Sequence, residues 1–95
     1  MPTIPDITIP SNDYVSVNTL ASVAEGTEIQ IQLKGTFFVY LQESNTKPDA
    51  ASTDGILMST VYENASTVRI PVGSDEIWAR CASEGRSTKL NVEEV

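Results

Sequence analysis

The stretch TVRIPVGSDEIWARCAS, residues 67–83, decides the fold class. Val68, Ile70 and Val72 stand two apart, and so do Ile77, Ala79 and Cys81. A spacing of two puts each set on one side of an extended chain. Between the runs lie Gly73, Ser74 and Asp75, a turn-forming cluster. Two alternating runs around such a turn predict a β-hairpin, with the single tryptophan, Trp78, on its second strand.

The rest of the chain reads in the same style. Residues 28–34 (EIQIQLK) alternate most cleanly, with Ile29, Ile31 and Leu33 facing in. Residues 36–42 (TFFVYLQ) are a continuous apolar run, which predicts a strand covered on both faces, by the core on one and a neighbouring subunit on the other. Short strands are also predicted over residues 13–18, 56–62 and 88–92. Residues 19–26 (TLASVAEG) could form one helical turn or an irregular crossover and are read as loop, and no convincing helix stands out. Residues 43–55 (ESNTKPDAASTDG) are polar and too long for a tight turn, so they form a surface loop. Seven strand candidates with turn signals between them predict a small all-β domain. It is a β-sandwich or a Greek-key or jelly-roll-like barrel, spanning residues 13–95.

Residues 1–12 stand apart. Pro2, Pro5 and Pro10 give no backbone donors, while Ile4, Ile7 and Ile9 make the stretch apolar. This composition predicts an extended arm that lies on another chain or wraps its own domain. Ile4, Ile7 and Ile9 are therefore candidate partner-contact residues. Phe38 and Tyr40, on the doubly apolar strand, join them. So do Trp78 and Arg80, which share the strand face opposite Ile77, Ala79 and Cys81. Trp and Arg are enriched as interface anchors. The other reading of this pair is a second apolar layer within the domain.

Composition narrows the function classes. Ninety-five residues make one domain, able to bury roughly 60–65% of its unfolded surface without metal or disulfide. The formal net charge is −7, with only 6 scattered Lys and Arg residues, which argues against nucleic acid and anionic membranes. No apolar run approaches the roughly 18–20 residues that span a bilayer, and no secretory leader is expected. Cys81 is the single cysteine, expected as a buried core thiol in a chain made in a reducing cytoplasm. The sequence has no histidine, so the commonest general base and zinc ligand are missing. Asp49 with Asp54, and Asp75 with Glu76, are the only carboxylate pairs worth weighing for hydrolysis. Asp49, Asp54 and Glu63 are the loop oxygens for calcium, but they lack EF-hand spacing. Tyr14, Tyr40, Tyr62 and Trp78 could form a carbohydrate or peptide platform. The expectation is a protein without catalytic residues, cofactor or metal.

One resemblance adds a setting. The chain runs from Glu28–Leu33 through Val39-Tyr40, a loop with Pro48, and Asp54-Gly55-Ile56-Leu57. It continues through Pro71-Val72-Gly73 and Ile77-Trp78-Ala79-Arg80 to Leu90-Asn91-Val92-Glu93. Over roughly Val17 to Val95 this order resembles the short all-β virion structural proteins of tailed bacteriophages. The resemblance implies a capsid decoration or cementing subunit, or a collar, tail-adaptor or fibre-base protein. It also implies a homo-oligomer such as a trimer, bound to major capsid or neighbouring structural subunits in the virion. A carbohydrate- or receptor-binding sandwich is the alternative.

Overall fold

The computed structural model describes residues 4–35, 37–59 and 66–95. Within them the chain forms β1 (Ile7–Pro10), β2 (Val15–Ser16), α1 (Val17–Ala21), β3 (Ile29–Leu33), β4 (Val39–Glu43), β5 (Ile56–Met58), β6 (Thr67–Ile70), β7 (Ile77–Cys81) and β8 (Ser87–Glu94). They assemble into two four-stranded sheets, in the orders β1-β8-β3-β6 and β2-β7-β4-β5. Every pairing is antiparallel. The sheets pack face to face as a small β-sandwich, which settles the choice between sandwich and barrel.

The alternation explains the layers. In β3, Ile29, Ile31 and Leu33 are buried while Gln30 and Gln32 face water. Leu90 and Val92 of β8 and Ile70 of β6 join them from the same sheet. Val39 and Leu41 of β4, Met58 of β5, and Ile77 and Ala79 of β7 face them from the second sheet. One continuous core results, and the Cys81 thiol is buried as expected.

Three expectations are corrected. First, β6 and β7 are not a hairpin: β6 pairs with β3, and β7 pairs with β2 and β4. Residues 71–76 carry the chain from one sheet to the other. Two packed sheets lie about 10 Å apart, a gap that six residues span and a two-residue turn does not. The crossing is pinned at both layers. Gly73 N–H donates to the Gly26 carbonyl at 2.9 Å, and Asp75 N–H donates to Glu43 Oε2 at 2.9 Å. Gly73 sits at φ +87°, a backbone conformation that favours glycine. Strands on opposite walls of one core alternate just as paired strands do, so periodicity could not tell the two apart.

Second, the arm is largely a strand of the domain. Residues 7–10 pair with residues 87–90 at the edge of the first sheet, and Ile7 and Ile9 sit in the core while Thr8 faces water. Ile4 packs partly buried against the same core. The edge position tolerates Pro10, because an edge strand has one row of donors left unpaired. The boundary drawn at residue 12 therefore separates a strand from its sheet, and the described residues form eight strands.

Third, residues 17–21 are a short helix. Ser16 Oγ accepts from Thr19 N–H at 3.1 Å, and Ser22 closes the helix at φ 57°. That places Val17, Asn18 and Ala21 inward together. Asn18 Oδ1 accepts from Ile77 N–H at 2.8 Å, so the helix caps the start of β7.

β1 is also fastened by charge. The Asp6 carboxylate accepts from Lys34 Nζ at 2.8 Å and from Asn91 Nδ2 at 3.2 Å. The Lys34 hydrogen bond, then that of Asn91, holds the Asp6 carboxyl below the usual carboxylate range. A carboxyl lowered in the folded state stabilises above its unfolded pKa and loses that contribution as pH falls through its folded pKa. Asp6→Asn is therefore expected to flatten the acid limb of a stability-versus-pH curve below about pH 4. Urea midpoints of both proteins at neutral and acid pH check this. Parallel acid limbs would show that Asp6 carries no pH dependence.

Candidate functional site

The residues with most chemistry gather on the outer face of the second sheet. Trp78 and Arg80 of β7 point away from the core, as do Tyr40 and Gln42 of β4, because they alternate with buried neighbours. The register sets Tyr40 opposite Arg80, Gln42 opposite Trp78, and Leu57 opposite Tyr40. Tyr14, just before β2, reaches the same face.

Here the long loop does something the sequence did not announce: residues 44–55 fold back over this face. Trp78 Nε1–H donates to the Ser44 carbonyl at 3.1 Å. The Ser52 carbonyl accepts from Tyr14 O–H at 2.6 Å and from Arg80 Nη2 at 3.3 Å. Gln42 Nε2 donates to Ser52 Oγ at 2.7 Å and to Tyr14 Oη at 3.3 Å. Tyr14 is 1% exposed as a result. The Arg80 guanidinium carbon lies 5.4 Å from the Tyr14 ring centre and 5.2 Å from that of Tyr40, within cation–π range of both. Asp13, beside Tyr14, pairs with Lys47 of the same loop, and this hydrogen bond holds its carboxyl below the usual range.

Ser52 is thus the latch of the loop. Tyr14→Phe removes one of its two donors to the Ser52 carbonyl, and also the acceptor of Gln42. We expect a loss of about 1–3 kcal/mol. Faster amide exchange in residues 49–54 should accompany it. A Tyr14→Phe protein with native stability and native exchange would show that the hydroxyl does not hold the loop.

Of the seven candidate partner residues, Ile7 and Ile9 belong to the chain's own core, and Ile4 packs against it. These three are corrected from arm to body. Trp78 and Arg80 are half-buried, with polar atoms engaged by the chain's own loop. Arg80 stacks on the Tyr14 and Tyr40 rings. Phe38 and Tyr40 are half-buried on the outer face. Tyr62 and Glu63 lie outside the described residues, so neither the four-residue aromatic platform nor the three-residue calcium set is traced whole.

One carboxylate of each pair has a structural partner. Asp49 Oδ1 accepts from Ala51 N–H at 2.9 Å in a local turn, and Glu76 Oε2 accepts from Ser16 Oγ–H. Among the described residues no three Cys, Asp or Glu side chains gather to hold a metal ion, and no helix is long and apolar enough to cross a membrane.

Sequence reasoning missed two features of the surface. Ile56 and Leu57 are 50% and 44% exposed on β5, the three-residue edge strand of the second sheet. A hollow of about 590 Å³, lined by Ser11, Asn12, Arg80, Ala82, Glu84 and Gly85, opens beside Arg80. The first was legible as an apolar pair following Asp54-Gly55. The second had no sequence signal, because its lining comes from two stretches far apart in the chain, residues 11–12 and 80–85. No protein-family model, curated protein or solved structure matches this chain.

Proposed function

We propose that this chain is a non-enzymatic structural subunit of a virion, of the capsid-decoration or cementing type. The observation that carries the reading is the β5 edge. Sheet edges are ordinarily blunted by charge, proline or cover, because an open row of backbone donors and acceptors pairs with other chains. Here Ile56 and Leu57 stand exposed on that edge, and Leu57 lies beside Tyr40, opposite it in the sheet. An apolar edge next to an aromatic suits docking against a neighbouring subunit by strand addition and apolar burial. The contact thus moves from the N-terminal arm, whose isoleucines are used internally, to β5 with Tyr40 and Phe38. The net charge of −7 keeps free copies apart before they dock.

The test is a density-gradient separation of a lysate from the protein's own source. The chain is expected in the particle band, and Leu57→Glu is expected to move it to the soluble fraction. Recovery of the native chain only among soluble proteins overturns the reading. A carbohydrate- or receptor-binding module is the second reading, favoured by the hollow at Arg80.

A further inference from the structure

The hollow beside Arg80 is a product of side-chain size along one strand. On the outer face, β7 and its continuation present Trp78, Arg80 and then Ala82. The first two fill the space beneath the loop, and Ala82 stops after one carbon. Ser11 and Asn12 form one wall, and Glu84 and Gly85 another. The walls are tied together, since Gly85 N–H donates to Ser11 Oγ at 2.9 Å.

Arg80 is the one cation among the described residues lining the hollow. Of the 6 Lys and Arg residues, Lys34, Lys47 and Arg69 pair with Asp6, Asp13 and Glu28, whereas Arg80, Arg86 and Lys89 show no ion pair among the described residues. Among the described residues Arg80 has no carboxylate within ion-pair distance, although acidic residues outnumber basic ones 13 to 6. Its guanidinium is half-buried between two tyrosine rings, and its Nε is buried without a hydrogen-bond partner. Aromatic faces and one carbonyl leave part of this fork of donors unused. A guanidinium fork matches a carboxylate in plane and spacing.

We infer that the hollow binds a small sugar acid, a hydroxylated ring bearing one carboxylate. Arg80 takes the carboxylate. Asn12, Ser11 and Glu84 take the hydroxyl groups, with Glu84 as an acceptor. A simple anion would leave Glu84 as a repelling neighbour, whereas hydroxyl donors give it a partner. The volume suits one or two sugar rings. The site stands apart from the β5 edge and does not depend on the virion reading.

The test is titration of the ¹⁵N-labelled native chain with glucuronate, with glucose and acetate as separate arms. Saturable shifts of the Asn12, Ala82 and Gly85 amides are expected with glucuronate. Glucose, lacking the carboxylate, should bind at least ~10-fold more weakly, and so should acetate, lacking the hydroxyls. Arg80→Gln should lose the response while keeping a dispersed spectrum. Ala82→Leu, which fills the hollow and leaves Arg80 in place, should lose it too. Absence of saturable shifts at these amides with glucuronate overturns the site. Acetate binding as well as glucuronate overturns the sugar assignment. Responses that survive Ala82→Leu unchanged place binding elsewhere and overturn the hollow.

Discussion

Ile9→Ala is expected to cost about 2–5 kcal/mol of folding stability, a large share of the roughly 5–15 kcal/mol that holds a domain of this kind together. Ile9 is 0% exposed, on an edge strand hydrogen-bonded to β8, so removing its branched side chain opens a cavity on the first sheet's inner face. Thr8→Ala is the internal control. It lies on the same strand, faces water, and should stay within about 0.5 kcal/mol of native. Equilibrium urea unfolding of the three proteins gives the comparison. A small effect for Ile9→Ala would return residues 1–12 to the status of an arm. The same reasoning changes what a truncation means. Removing residues 1–12 takes an edge strand and two core side chains with it, so the shortened chain should unfold at lower denaturant.

Gly55→Ala should be strongly destabilising. Gly55 sits at φ +98°, where an L side chain is strained, and an added Cβ would lie 2.1 Å from the Leu41 carbonyl oxygen and 2.8 Å from Gln42 Cγ. The oxygen belongs to the backbone of β4, which is held on its other side by β7 and cannot retreat. The strand that gives way is β5, which begins at the next residue. Gly85→Ala separates the two costs. Its φ is +75°, but nothing lies within 4 Å of an added Cβ, so only the backbone term of about 1–2 kcal/mol applies. Gly55→Ala adds the clash, for a total of about 3 kcal/mol or more, or roughly 12 °C or more in Tm. Thermal unfolding of both variants measures the difference. Equal melting points would show that β4 and β5 are not packed as described.

The sequence was most informative where burial was one-sided. Ile29, Ile31 and Leu33 alternate with glutamine and lysine, and β3 lies where that alternation put it. Val39 and Leu41 were harder, because Phe38, Tyr40 and Gln42 on the other face are also covered. Over Gln42 the cover is the chain's own loop, and a polar loop carries no mark of where it folds back. The stretch 67–83 shows the limit of periodicity. It placed two strands correctly and joined them wrongly, since pairing depends on the length and path of residues 71–76. The N-terminal isoleucines carried a clear signal in Ile7-Thr8-Ile9, which the flanking prolines outweighed. Of the outer-face site, Trp78, Arg80 and Tyr40 were legible as one cluster, while the Ser52 latch and the hollow required long-range closure.

The position of β8 has a consequence for how the protein is made. β8 lies between β1 and β3, so two strands from the first third of the chain are joined only by the last to be synthesised. Until that segment leaves the ribosome, β1 has no partner and the first sheet is in pieces. The second sheet is already complete in sequence by Cys81 and can form earlier. Assembly of the first sheet should therefore wait for residues 87–94. That late step should be slow, because the closing contacts join segments far apart in sequence. A nascent chain stalled before Ser87 should be sensitive to protease across its N-terminal strand, and chains ending at Glu94 should not.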